Sequence, residues 1–234
     1  MATPTIRDST ATNPGGTGST ITATLPTHAA RDLIIIPVGN TGNTAWTGNP
    51  AGWSRLTQNI VGTASNGLVG TFFYRFVLDG DTLPLANPQF TLGATVTRLA
   101  FAYSIDGVFE SGIFTGPGWS ARAFGTGTSN PVRPPSITTV TVDQLILHFY
   151  FQRAATNAPD PSGYTQDEEI VISGTLVGNA SNKVVAASGT LLSNQDASPT
   201  SGVRWMAGIM AIPPPPANYP IRRGSLAQDA RLRR

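Results

Sequence analysis

Residues able to do chemistry are sparse in this chain of 234 residues. It has no cysteine, which excludes a disulfide framework, a thiolate metal site and a thiol nucleophile. The two histidines, His28 and His148, stand far apart, and no His-x-His or His-Glu-x-x-His pair exists to found a zinc site. His148 lies inside the apolar run Leu145–Phe151, on the face opposite Leu147 and Phe149, and reads as a hydrogen-bonded strand residue. His28 falls in a turn before Asp32. The densest acidic group is Asp167-Glu168-Glu169. A glycosidase needs two carboxylates facing each other across a cleft, whereas neighbouring acids on one strand point alternately to opposite sides. They read as a solvated strand start. There is no Gly-x-Ser-x-Gly and no P-loop, and Gly125-Thr126-Gly127 lacks the lysine and the strand–helix setting of a phosphate cradle. Asn179-Ala180-Ser181 has the form of a glycosylation sequon but is expected to be idle, since no secretory signal pattern is visible in the sequence. The expectation is a protein that is not an enzyme, with no cofactor and no metal.

Binding chemistry is better represented. Trp46 sits in GNTGNTAWTGNPAG (39–52), and Trp119 and Phe124 sit in GIFTGPGWSARAFGTGTSNP (112–131). Aromatics among small hydrogen-bonding residues have the composition of contact loops. Such rings stack on a glycan or fill a hollow on a neighbouring subunit; the alternative is that each folds back to cap an open end of the core. Trp53 and Trp205 read as core. Arg75, Arg98 and Arg204 lie on strand faces opposite the aromatic ones, which suits surface or inter-subunit hydrogen bonding.

The second binding element is the C-terminus. Residues 1–221 carry ten basic and twelve acidic side chains, whereas residues 222–234 carry Arg222, Arg223, Arg231, Arg233 and Arg234 against Asp229 alone. Ordering residues 214–234 costs on the order of 20–40 kcal/mol of backbone entropy, more than so polar a segment recovers by packing on itself. The expectation is an arm whose arginines, with Leu226 and Leu232, dock on another polypeptide. Guanidiniums grip carboxylates bidentately. They also neutralise phosphate, but the slightly acidic body offers no second basic patch, so protein ranks above nucleic acid.

What must position these residues is a body of strands. Only 12% of residues are charged, with one lysine and three glutamates, while glycine and proline number 25 and 19. Helix surfaces are normally rich in charge, so this composition favours strands and turns. Period-2 alternation marks strands over 21–25, 54–61, 68–78, 99–105, 137–142, 145–151, 168–173, 183–192 and 203–212, with a continuous apolar run at Leu33–Val38. Asp79-Gly80-Asp81, Gly116-Pro117-Gly118 and Asn157–Gly163 read as turns between them. Ten or so such strands make a sandwich or a barrel. No stretch is long enough to span a bilayer, and the N-terminus has no signal-peptide pattern, so a soluble protein made in a cytosol is expected.

The chain also resembles itself. Asp32 before Leu33–Ile36 is matched by Asp143 before Gln144–Leu147; Pro50-Ala51-Gly52-Trp53-Ser54 by Pro161-Ser162-Gly163-Tyr164-Thr165; Ala64-Ser65-Asn66 by Ala180-Ser181-Asn182; and Arg98 by Arg204. The order is unchanged throughout. Two similar halves, about 3–115 and 116–213, facing each other across one core account for this more simply than two independent domains, since a lone small sheet leaves an apolar face uncovered. Pro213-Pro214-Pro215-Pro216 then ends the sheet, because proline lacks the amide hydrogen a ladder needs and favours an extended segment. The body is 1–213 and the Pro-rich, then basic, arm is 214–234.

Several of these segments in order carry a resemblance: the Asp-Leu-Ile-Ile start, Pro-Ala-Gly-Trp-Ser, Phe-Tyr-Arg-Phe before an acidic turn, and Ala-Tyr-Ser-Ile-Asp-Gly-Val. The second half adds Pro-Ser-Gly-Tyr-Thr and a closing Arg-Trp-Met-Ala-Gly-Ile-Met-Ala-Ile-Pro. Together they resemble the jelly-roll-like β-sandwich modules of tailed-bacteriophage virion structural proteins, which occur in head decoration, fibre and tail components. The resemblance covers roughly residues 3–213 and implies a non-enzymatic virion subunit, assembled in the host cytoplasm. Its expected partners are capsid or tail proteins and sister copies, with no membrane. The alternative is a glycan-binding, lectin-like adhesin module that meets a host receptor through its loop aromatics. The arm lies outside the resemblance.

Overall fold

The computed structural model describes residues 3–63, 66–108, 122–128, 132–153, 160–172, 174–192 and 204–215. The first half of the chain forms β1 (Thr5–Thr12), β2 (Thr17–Thr22), β3 (Leu33–Thr41), β4 (Trp46–Thr47), β5 (Ser54–Val61), β6 (Leu68–Phe76) and β7 (Gln89–Asp106). The second half forms β8 (Arg122–Gly127), β9 (Ile137–Thr138), β10 (Gln144–Gln152), β11 (Thr165–Ile172), β12 (Leu176–Val185), β13 (Leu191–Leu192) and β14 (Trp205–Ile212). The described residues contain no α-helix, and every strand pairing is antiparallel.

The strands build an all-β sandwich of two sheets. Sheet I runs β5-β6-β3-β7-β1 and sheet II runs β11-β12-β10-β14-β8. Read in parallel, each sheet places the corresponding strands of its half in the same order, so the internal repeat is a repeat of topology. The sheets stack with β1 over β11, β7 over β12, β6 over β14 and β5 over β8. Each strand therefore faces a non-equivalent strand of the other half, as a pseudo-two-fold axis between the sheets requires. The connectivity is simpler than a jelly roll's, in which successive strands cross between the sheets. Here each half of the chain builds one whole sheet.

Alternation explains how the layers hold. On β3, Leu33 and Ile35 point between the sheets, while Ile34, Ile36 and Val38 point to the outer face of sheet I. All five are fully buried because both faces are covered, which is why this strand reads as a continuous apolar run. The inner core joins Phe72 and Tyr103 of sheet I to Phe149, Phe151 and Met206 of sheet II. Glycines admit these side chains. A Cβ on Gly70 would meet Met206, and one on Gly178 would meet Leu99 and Phe101 at 2.8–2.9 Å. The outer face of sheet I is covered by β2 and β4, which pair with the first part of β7 and bring Ile21, Trp46, Phe90 and Leu92 over it. The β9–β13 pair covers part of sheet II, packing Ile137 and Leu192 on Ile146 and Ile209.

Two expected strands and one expected loop change shape. Residues 183–192 divide between the end of β12 and β13, because Thr139 takes backbone hydrogen bonds from Gly189 and Thr190 and closes a turn there. Residues 137–142 shrink to Ile137–Thr138, since the Gln144 side chain captures the amide of Val140 at 2.8 Å. Phe124, expected on a loop, lies on β8 in register with Gly208. That glycine leaves room for its ring.

Candidate functional site

The loop aromatics diverge from expectation. Trp46 is 2% exposed. Its ring packs edge-on to Phe90 at 6.3 Å, and its backbone amide donates to Gln58 Oε1 at 3.0 Å. The contact role expected of Trp46 is thereby corrected: β4 pairs with β7 at Leu92 and turns the ring into the outer core of sheet I. Phe124 is half-buried and tilted over Phe72 at 4.7 Å, an inter-sheet position rather than a docking one. Trp119 lies outside the described residues, as do Arg222, Arg223, Leu226, Arg231, Leu232, Arg233 and Arg234. The base of the arm is described. β14 is paired on both sides, by β10 and β8, and runs directly into Pro213 and Pro214, which are buried.

The three strand arginines bond within the chain. Arg75 pairs with Asp81 at 2.7 Å, Arg98 donates to the Thr20 carbonyl, and Arg204 donates to the Asn66 carbonyl at 2.5 Å. Asp32 is fully buried and amply bonded. It receives Arg7 through two nitrogens at 2.7 and 3.1 Å, Ser104 Oγ at 2.7 Å and the Ala29 amide at 2.8 Å, tying β1, β3 and β7 together. His28 accepts from the Leu85 amide through Nε2 at 2.9 Å, so Nδ1 carries the hydrogen donated to the Pro26 carbonyl at 2.7 Å. It stands beside a shallow cleft of about 640 Å³ between Thr24–His28 and Pro84–Asn87.

The two halves part company on the outer face of sheet II. Among the described residues two non-glycines have positive φ, Arg31 (73°) and Asp143 (53°), each two positions before an inward-facing leucine at the start of its strand. Setting them on each other aligns Leu33 with Leu145 and, through the ladders to β6 and β12, Gly70 with Gly178. Asp32 therefore corresponds to Gln144, one position away from the match read in the sequence. Likewise Arg98 corresponds to Trp205, since Leu99 pairs with Gly39 and Met206 with Phe151. Asn66 lies in a turn while Asn182 lies within β12, so that match dissolves.

Under this alignment the cross-strand pair Ile36–Phe73 of sheet I becomes His148–Ser181 of sheet II, and Val38–Thr71 becomes Tyr150–Asn179. Trp53 becomes Tyr164. An apolar cover in one half is thus a polar, buried cluster in the other: His148, Asn179 and Ser181 are all 0% exposed. The His148 ring stands 5.7 Å from that of Tyr164 and 6.2 Å from that of Tyr150. Lys183 Nζ lies 4.1 Å over the Tyr164 ring, and burial lowers its pKa. Burial also pushes the Asp160 carboxyl up; hydrogen bonds from Ser181 and Asn179 oppose that rise, and the Glu169 charge adds to it. The Tyr164 hydroxyl is shut off from solvent without a hydrogen-bond partner.

The acidic run next to this cluster is not an alternating strand start. A β-bulge at Asp167 shifts the register between Gln166 and Glu168, at the position corresponding to the shift between Arg55 and Thr57 in sheet I. Asp167 accepts from Asn182 Nδ2 at 2.6 Å, and Glu168 accepts from Ser9 Oγ of β1 at 2.7 Å. Sequence reasoning treated His148 as an ordinary strand residue and passed over Asp160, Asn179 and Ser181 as site residues. The signal available was the comparison of the halves, where polar residues stand in place of Ile36 and Phe73.

Comparison with known protein families, with curated proteins and with solved structures returns no match.

Proposed function

We propose that this chain is a structural subunit of a tailed-bacteriophage virion, a decoration, fibre or tail-associated component that acts by docking and self-association rather than catalysis. The observation that carries this reading is the root of the arm. The segment with all the excess positive charge leaves from the end of a strand bonded on both sides, through two buried prolines, and not from a loop tip. A tether rooted in the rigid body transmits force and fixes direction, which suits a clamp on a neighbouring subunit. The resemblance over residues 3–213 supplies the virion setting. The sandwich supports it as a closed scaffold whose inner faces are filled by its own side chains. The test is deletion of residues 217–234. The truncated chain melts at the temperature of the full chain but fails to join the particle, and normal incorporation overturns the reading.

A further inference from the structure

The edge of a sheet can take up another chain, because an outermost strand leaves a row of backbone amides and carbonyls without a ladder partner. The sandwich ends in four such strands: β1 and β5 in sheet I, β8 and β11 in sheet II. Three of them carry features that keep edges apart. β1 has a bulge between Ile6 and Asp8 and the charges of Arg7 and Asp8. Residues 24–27 also lie along it, with the Thr24 amide donating to Thr12 Oγ1 at 3.0 Å and the Thr27 amide to Asp8 Oδ2 at 2.7 Å. β5 has a bulge between Arg55 and Thr57. β11 has one between Gln166 and Glu168, and three adjacent acids.

β8 has none of these. Its six residues run in unbroken register along β14, from Arg122 against Met210 to Gly127 against Trp205. Its single charge, Arg122, stands at the first position. Both of its faces are closed. Phe124 packs on Phe72 between the sheets, and on the outer side a Cβ at Gly125 would meet Pro135 at 2.8 Å. No described strand pairs with the side of β8 away from β14, so what remains open is the backbone edge.

We propose that β8 is the self-association edge of this chain, pairing antiparallel with β8 of a second copy across a two-fold axis, so that sheet II continues from one copy into the next. This rests on the reading of a self-associating subunit and names the surface that subunit uses. Self-pairing suits β8 because a pair centred on Phe124 sets Arg122 opposite the partner's Thr126 and brings no like charges face to face. The same operation on β11, centred on Glu168, sets Asp167 opposite the partner's Glu169, acid against acid. The basic arm is a poorer occupant of the β8 edge. Its arginines would lie beside Arg122, and the prolines at its root have no amide to donate to a ladder.

Sedimentation of the full chain over a range of concentrations tests this, with Thr126→Lys and Thr126→Glu beside the native sequence. Thr126 is exposed, so either side chain is accommodated in the fold. The native chain is a dimer that dissociates on dilution. Lysine at 126 faces the partner's Arg122 twice across the axis and weakens the dimer several-fold, whereas glutamate meets the same arginine with opposite charge and holds or tightens it. A dimer that neither substitution changes is joined elsewhere, which overturns the β8 edge and leaves self-association standing. Equal weakening by both shows that Arg122 is not the facing residue and overturns the pairing as well. A chain that stays monomeric overturns both the edge and self-association; if its β8 amides still resist hydrogen exchange, another part of the same chain covers the edge. Docking of the arm is decided separately, by the deletion of residues 217–234.

Discussion

Asp167 shows how one side chain reports on its surroundings. Burial raises its carboxyl pKa most; Asn182 and Tyr103 oppose the rise, while Glu168 and Asp160 add to it. A carboxyl raised in the folded state weighs against folding once the pH exceeds its unfolded value near ~3.9, and the penalty vanishes below that value. Asp8 acts in the opposite sense. The Thr27 amide holds its carboxyl below the usual range, so the stability it contributes above the unfolded value is lost as pH falls through the folded one. Asp167→Asn keeps the acceptor for Asn182 and removes the charge. Its Tm exceeds that of the native chain at pH 7, and the gain disappears near pH ~3.5, below the unfolded carboxyl value. Melts at the two pH values check this, and a gain equal at both would mean that something other than ionisation is responsible.

Turns and bulges recur in the two halves along with the strands. Trp53 donates its amide to Pro50 at 3.0 Å and Tyr164 donates to Pro161 at 3.1 Å, with Gly52 and Gly163 at φ 80° and 79°. A turn of this kind needs positive φ at its third residue, which glycine supplies without strain. The copies nevertheless have different surroundings. A Cβ on Gly163 meets nothing within 4 Å, whereas one on Gly52 meets Arg75 Nη1 at 2.8 Å, the guanidinium that pairs with Asp81. Gly163→Ala therefore costs about 1–2 kcal/mol, the penalty of the left-handed conformation alone. Gly52→Ala costs more, because Arg75 must also move. Urea unfolding of both variants gives the difference, and equal losses would show that Arg75 yields freely.

Because each half supplies one whole sheet, neither can bury its inner face alone. Leu33, Phe72 and Phe101 on one side need Leu147, Phe149 and Met206 on the other. The full chain is expected to unfold in one transition. Residues 1–115 expressed alone self-associate or aggregate, since that face then meets water. Calorimetry showing two separate transitions, or a monomeric folded half, would mean that the interface between sheets is dispensable.

Much of this was legible along the chain. The absence of α-helix among the described residues follows from low charge and period-2 runs such as Leu145–Phe151, and the turn at Pro161–Tyr164 could be recognised from its twin at Pro50–Trp53. Alternation and turn chemistry are properties of a few neighbouring residues, so they survive in a one-dimensional reading. The fate of Trp46, the inward turn of Asp167 and the one-position shift that aligns Arg31 with Asp143 were not legible. Each depends on which distant strand lies alongside: β7 beside Trp46, β12 beside the bulge, the ladders that set the register. Asp160 and Asn179 come together for the same reason. Their meeting joins the segment before β11 to β12, and no local pattern of residues encodes it.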